Sequence, residues 1–180
     1  MDVTEIKWIR TSKGGIQKPI IDYMEELIIE QIELGREMKV CFGTDSQKKS
    51  KKRNGIPKYK YAVAIIFEMK SNGYDGKIKG TGLGAKKIYG QYIDFTPTTV
   101  SERMLKEVQI SINTAMHLAP LLDLYGVPFE IHADVNPDPI FDSNKALNNV
   151  VGYIKGMDYN YKVKPNAYAA SCAADKIAKS

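Results

Sequence analysis

Three aspartates stand where a folded chain can aim a carboxylate. Asp45 lies in Gly43-Thr44-Asp45-Ser46-Gln47, directly after the apolar run Val40-Cys41-Phe42. Asp134 lies in His132-Ala133-Asp134-Val135-Asn136, and Asp175 in the small-residue stretch Ala173-Ala174-Asp175-Lys176. Carboxylates brought together repel and raise one another's pKa unless a cation neutralises them. Hard oxygen ligands of this kind select Mg²⁺ or Mn²⁺. Each residue also has a plainer reading. An aspartate after a strand is commonly a turn former or helix cap. Asp134 precedes Asn136-Pro137-Asp138-Pro139, a loop-forming run, and Asp175 alone reads as a surface residue. Only a topology that couples their positions makes them a site.

A fourth carboxylate is expected from the helix predicted over Thr98 to Leu118, and two glutamates compete for the place. At roughly 100° per helical residue, Glu102 and Glu107 point roughly 140° apart, so one helix cannot aim both at one site. Glu102 shares its stripe with Lys106, Gln109 and Asn113, a solvated face. Glu107 shares its stripe with Met104, Ile110, Ser111 and Thr114, a mixed face able to approach a sheet. The phase selects Glu107 and leaves Glu102 as a charged surface residue.

The elements that must position these groups follow from periodicity. Pro19 to Leu34 reads as a helix, with Ile20, Met24, Leu27, Ile28 and Ile32 at three- and four-residue spacings, Pro19 in the first turn and Gly35 as the stop. Val40 to Phe42 reads as a short central strand covered on both faces. Tyr59 to Met69 and Lys86 to Phe95 read as the second and third strands, with a turn at Ser71 to Gly76 between them. The predicted helix Thr98 to Leu118 carries Leu105, Val108, Ile112, Ala115 and Met116 on one face and ends before Pro120, with His117 at its end. A strand at Phe129 to Ala133, a helix at Asn144 to Met157, a strand at Tyr159 to Lys164 and a helix at Ala167 to Ala178 complete the order. Three meandering strands followed by two strand–helix units predict an α/β fold with a mixed five-stranded sheet, three antiparallel strands then two parallel, flanked by helices. This is the RNase H-like plan with an extra N-terminal helix, one domain over 1–180 in which 1–36 form the extension and helix. Strands one and four become parallel neighbours, so Asp45 and Asp134 emerge at the same carboxyl end, where open α/β sheets place ligands.

Composition narrows the function classes. The chain has 180 residues, 43% of them hydrophobic, enough for a real core. No apolar run approaches the length of a membrane span, and the N-terminus reads as no secretory leader, so a cytoplasmic protein is expected. Two cysteines, Cys41 and Cys172, read as buried free thiols, and two histidines without a CxxC pair argue against zinc. The net charge of +5 favours a polyanionic partner. Lys48, Lys49, Lys51, Lys52, Arg53, Lys58 and Lys60 crowd into the segment after Asp45, as a solvated hairpin loop or as a phosphate-contacting one. Gly80-Thr81-Gly82-Leu83-Gly84 opens no helix after a strand and is read as a hairpin approach, not a nucleotide loop. Tyr59, Tyr61, Tyr89 and Tyr92 are either stacking platforms for bases or ordinary strand residues.

Gly43-Thr44-Asp45-Ser46-Gln47, Glu102-Arg103 with Glu107, His132-Ala133-Asp134, and Lys164-Pro165 through Ala169-Ala170-Ser171 to Ala174-Asp175-Lys176 together resemble the YkuK-type family of RNase H-like proteins. The resemblance runs from about residue 16 to the C-terminus. It implies an RNase H-like nuclease acting on nucleic acid (DNA, RNA or hybrid) with Mg²⁺ or Mn²⁺. Asp45 would bridge two ions about 3.5–4 Å apart, Glu107 and Asp134 completing one and Asp175 the other. RNase H enzymes proper carry a histidine in the loop before the last acidic residue. None lies between Lys164 and Asp175, and Lys164 or Lys176 is the candidate for an electrostatic substitute. His132, on the face of Asp134 in a strand, is either a neighbour of the site or a structural residue. A nucleic-acid-binding module of the same fold with weak or no catalysis is the rival reading. An actin-like phosphotransferase needs two such domains, for which 180 residues are too few.

Overall fold

The structure is a computed structural model and describes residues 6–10, 14–16, 18–49, 58–71, 86–92 and 97–179. Strands β1 (Lys7–Arg10) and β2 (Gly14–Gly15) precede helix α1 (Ile20–Glu33). Strands β3 (Arg36–Lys49), β4 (Lys58–Ser71) and β5 (Lys86–Tyr92) follow, then helix α2 (Val100–Leu124) and strand β6 (Phe129–His132). A 3₁₀ turn at Asp142–Ala146 leads into α3 (Leu147–Gly156), then β7 (Tyr161–Lys162), a π-helical segment Ala169–Ala174 and α4 (Asp175–Ala178). The strands form one mixed sheet in the order β2-β1-β5-β4-β3-β6-β7.

This corrects the five-stranded prediction: among the described residues the sheet has seven strands. The two additional ones come from the segment read as an extension, where β1 adds antiparallel to the edge of β5 with Lys7 opposite Gln91. Strands of four and two residues are too short to show a period, and pairing with a distant partner creates them. β3–β4 and β4–β5 are antiparallel, while β3–β6 and β6–β7 are parallel.

Alternation along β3 divides its neighbours between two faces. Val40 and Phe42 join the larger core with Met24, Ile28, Val108 and Ile112 of α1 and α2. Cys41 joins a second core of small residues, Ala62, Ala64, Ala169, Ala173 and Ala174, under the C-terminal segment. Burying a side chain such as Phe42 removes it wholly from water and is worth about 1.5–3 kcal/mol.

Helix α1 starts after Pro19 and is closed by Gly35 in the left-handed region at φ 64°. Its buried stripe includes Tyr23 and Gln31, whereas Ile32 is exposed. Helix α2 runs beyond its predicted end, through Pro120 to Leu124. The carbonyl that Pro120 leaves without an N–H belongs to Met116, which lies on the exposed side and can turn to water. Leu121 and Leu122 beyond it are buried and hold the extra turn against the core. Met116 is therefore outside the core stripe, and His117 is inside the helix, not at its end.

Candidate functional site

β4 pairs β3 along its full length, from Arg36 opposite Ser71 to Lys49 opposite Lys58. β6 pairs it only from Val40 to Gly43. Asp45, predicted to follow the strand, therefore lies inside it, two residues beyond the last parallel pair, Gly43 with His132. There β3 has lost its parallel partner and the sheet opens. Groups from both faces can meet around that free edge, which is why a helix on one side and a helix on the other both contribute.

Each contributor is held locally. Glu107 points inward from α2 and is 2% exposed; Ser46 Oγ donates to its Oε1 at 2.6 Å. One residue pair deeper, the Thr44 and Ser111 hydroxyls are 2.8 Å apart and lock α2 to β3. Arg103, one turn before Glu107, places Nη1 3.8 Å from the same Oε1. Asp134 follows β6, with Lys164 Nζ 3.0 Å from its Oδ1, close enough for an ion pair without hydrogen-bond alignment. Asp175 opens α4 and accepts from Gln47 Nε2 at 3.3 Å and from Lys179 Nζ at 2.7 Å. Asp45 lies close enough to Asp175 to feel its charge.

Asp45 and Glu107 feel the acidic groups around them. Burial, then the Asp134 charge and further the Asp175 group, push the Asp45 carboxyl up to about 7, against the Ser46 backbone N–H that favours its charged form. Burial and then Asp45 raise Glu107 well above the usual carboxylate range, with Asp134 adding to it and Arg103 opposing. Glu107 Oε2 is buried with no hydrogen-bond partner, as is the nearby Tyr61 hydroxyl on β4. An orphaned buried carboxylate oxygen within electrostatic reach of two further acidic groups is a fit for a hard cation.

Residues 20–179 match the family model described as Ribonuclease H-like. The chain belongs to the ribonuclease H-like family. No curated protein and no solved structure shows a significant match to it.

Within this ribonuclease H-like chain Glu102 and Glu107 do different work. Glu102 caps α2: its backbone N–H donates to Thr99 Oγ1, and its carboxylate accepts from the N–H and the hydroxyl of Thr98, both at 2.7 Å. Those bonds, the Thr98 side chain first, hold Glu102 below the usual carboxylate range, away from the cluster.

His132 faces the C-terminal segment. Its Nδ1 accepts from the Ala169 N–H at 3.1 Å, and its Nε2 lies 2.8 Å from Glu130 Oε1. That same oxygen is 3.6 Å from Cys41 Sγ, 3.0 Å from Lys39 Nζ and 2.9 Å from Lys162 Nζ. The ligand atoms of Cys41, Glu130 and His132 lie within 4.8 Å of one another, the spacing of a metal site. The bonding argues against one. With Nδ1 accepting from a backbone N–H, the ring proton sits on Nε2, which then has no lone pair for a metal. Burial, then Glu68 and Glu130, drive the Cys41 thiol far above its usual range, so it offers no thiolate. Burial alone would raise Glu130, yet donation from His132, Lys162 and Lys39 holds it well below the usual carboxylate range. The group is a polar clamp joining β3, β6 and β7 to the segment that carries Asp175.

Several expectations change. Cys172 is exposed, although Cys41 is buried. Tyr61 is fully buried and cannot stack on a base. Lys60 is buried and donates from Nζ to the Ile177 carbonyl at 3.0 Å, anchoring α4 instead of contacting phosphate. Lys176 is exposed, and Lys179, one turn on, is the lysine that reaches Asp175. Lys51, Lys52, Arg53, the turn over residues 72–76, the glycine run over residues 80–84 and the predicted end of the third strand at residues 93–95 lie outside the described residues, and the side chains of Tyr89 and Tyr92 are not described. Sequence reasoning missed Ser46, Gln47 and Lys179 as partners of the carboxylates. Only the first two carried a signal, alternating with Asp45 in one polar run.

Proposed function

We propose that this chain is a metal-dependent nuclease of the ribonuclease H-like family that hydrolyses phosphodiester bonds of nucleic acid. Family membership supports nuclease-type chemistry. The observation that carries the reading at the site is Glu107 Oε2, buried without a partner beside Asp45 and Asp134. The narrower YkuK-type assignment rests on the Gly43 to Gln47 block and the Lys164 to Lys176 segment.

Asp45, Glu107, Asp134 and Asp175 would hold Mg²⁺ or Mn²⁺. Bound there, a pair of such ions would supply positive charge at the scissile phosphate and acidify the attacking water. The chain's own groups do the rest. Asp45, which feels the charges of both Asp134 and Asp175, would contribute the central carboxylate. Ser46 aims Glu107, and Gln47 aims Asp175. The net charge of +5 and the basic run that follows Asp45 in the sequence would favour binding of the phosphate backbone without reading sequence. The nucleic-acid-binding module remains the rival, favoured by the ammonium groups that already sit on Asp134 and Asp175.

Cleavage of labelled single strands, duplexes and RNA–DNA hybrids with Mg²⁺ or Mn²⁺ tests the proposal. Metal-dependent products that vanish in Asp45→Asn support it. Tight binding with no products under either metal selects the binding module. Cleavage untouched by Asp45→Asn removes the site as drawn. Among the described residues no helix is long and apolar enough to cross a membrane.

A further inference from the structure

Among the described residues, three of the four carboxylates already have a cation. Arg103 stands by Glu107, Lys164 by Asp134 and Lys179 by Asp175. The three cations differ in how they are held. Arg103 is mostly buried and also donates to the Ser46 carbonyl, so it belongs to the wall of the site. Lys164 and Lys179 are 37% and 61% exposed and end flexible four-carbon stems at its mouth. Lys179 Nζ donates to Asp175 Oδ2 at 2.7 Å from one turn further on.

Lys164 is placed by different means. Its backbone N–H donates to the Val135 carbonyl at 3.1 Å, which ties the residue beside the loop that carries Asp134. Two lysines from separate segments thus converge on one acidic cluster. Deeper in the cluster, Glu107 Oε2 keeps an unpartnered position that neither ammonium fills.

We infer that Lys164 and Lys179 are displaceable counter-ions of the carboxylate cluster, which a divalent cation must drive off and which then bind the phosphates of a nucleic-acid strand at the mouth of the site. The physical basis is competition for the same charge. Asp134 Oδ1 and Asp175 Oδ2 cannot fully neutralise an ammonium and a divalent ion together, so each lysine weakens the metal. A released ammonium at the rim is a point charge free to meet a phosphate oxygen. The inference rests on the nuclease reading for its ligand, and its test separates the two.

Mn²⁺ is titrated calorimetrically into the full chain and into Lys164→Met, Lys179→Met and the double variant, with Lys176→Met as a surface-lysine control. Each replacement at 164 or 179 is expected to tighten Mn²⁺ binding by about 2–5-fold, the scale of an exposed ion pair, while Lys176→Met changes nothing. Lys179→Arg, which keeps the charge, is expected to bind Mn²⁺ like the wild type. A fluorescein-labelled RNA–DNA hybrid is then bound in Ca²⁺. Affinity is expected to fall in the Met variants, with the salt slope reduced by about one per lysine. Unchanged or weaker Mn²⁺ binding in both Met variants would overturn the counter-ion role. Tighter Mn²⁺ binding with unaltered hybrid binding would overturn the phosphate role. Failure of the wild type to bind Mn²⁺ at all would overturn the nuclease reading and this inference together.

Discussion

Gly43 and Ala170 touch backbone to backbone: a Cβ built on Gly43 would lie 2.3 Å from the Ala170 nitrogen and 2.5 Å from the Ala169 carbonyl carbon. The π-helical segment thus rests directly on the strand that carries Asp45, two residues before it. Glycine is required because the obstructing atoms are backbone and cannot rotate away. Gly43→Ala is expected to cost about 1–3 kcal/mol, the scale of overpacking. It should also weaken Mn²⁺ binding by moving α4 and its Asp175. Urea denaturation and Mn²⁺ titration measure both, and an unperturbed variant would show that the contact is loose.

Asp45 makes the metal-free protein pH-sensitive. Its carboxyl is at about 7 when folded, against about 4 in an unfolded chain. Between those values the folded state keeps a proton that the unfolded state has released, so stability falls as pH rises from about 4 to about 7 and stays low above. Asp45→Asn removes that loss. In chelator, it is expected to be more stable than wild type at pH 8, by up to about 4 kcal/mol, and little different at pH 4. Urea midpoints at the two pH values decide it; a variant less stable at pH 8 would contradict the electrostatic account.

Glu130 has the opposite sign. Its carboxyl is depressed by His132, Lys162 and Lys39 despite burial, so its contribution is present above the ordinary carboxylate range and lost as pH falls towards its folded value. Glu130→Gln is expected to cost about 1–3 kcal/mol near pH 7 and to flatten the acid side of the stability profile. Zn²⁺ should leave the wild-type melting temperature unchanged, because His132 presents no free lone pair to that cluster.

Ser46 supplies the hydrogen bond that orients Glu107. Ser46→Ala leaves that buried carboxylate without its donor, at an expected cost of about 1–3 kcal/mol, whereas Ser46→Thr keeps the hydroxyl and should cost less. Chemical denaturation of the two variants side by side gives the comparison. Equal losses would mean that side-chain volume, and not the bond, matters there.

Local pattern revealed much of this. Helical phase separated Glu107 from Glu102, because burial of one face of α2 is written in residue types every three or four positions. Proline and glycine marked the ends of α1 for the same local reason. Strand limits were less legible. β3 has fourteen residues because β4 pairs all of them, and nothing within Arg36–Lys49 announces that partner. The polarity of Thr44 to Lys49 suggested a loop, although the strand carries these groups to an opening in the sheet.

Taken alone, the sequence determined the alternation of elements, the acidic residues and the family signature, since these depend on residue types and short-range spacing. Tertiary structure decided how those acids are placed. It placed Asp45 where β6 stops and β3 continues, hydrogen-bonded Ser46 to Glu107 across the sheet–helix boundary, and set Lys164 and Lys179 against Asp134 and Asp175. Those relations join residues far apart in the chain. Their energies come from burial and from charge at distances of a few ångströms, which only the packed fold creates.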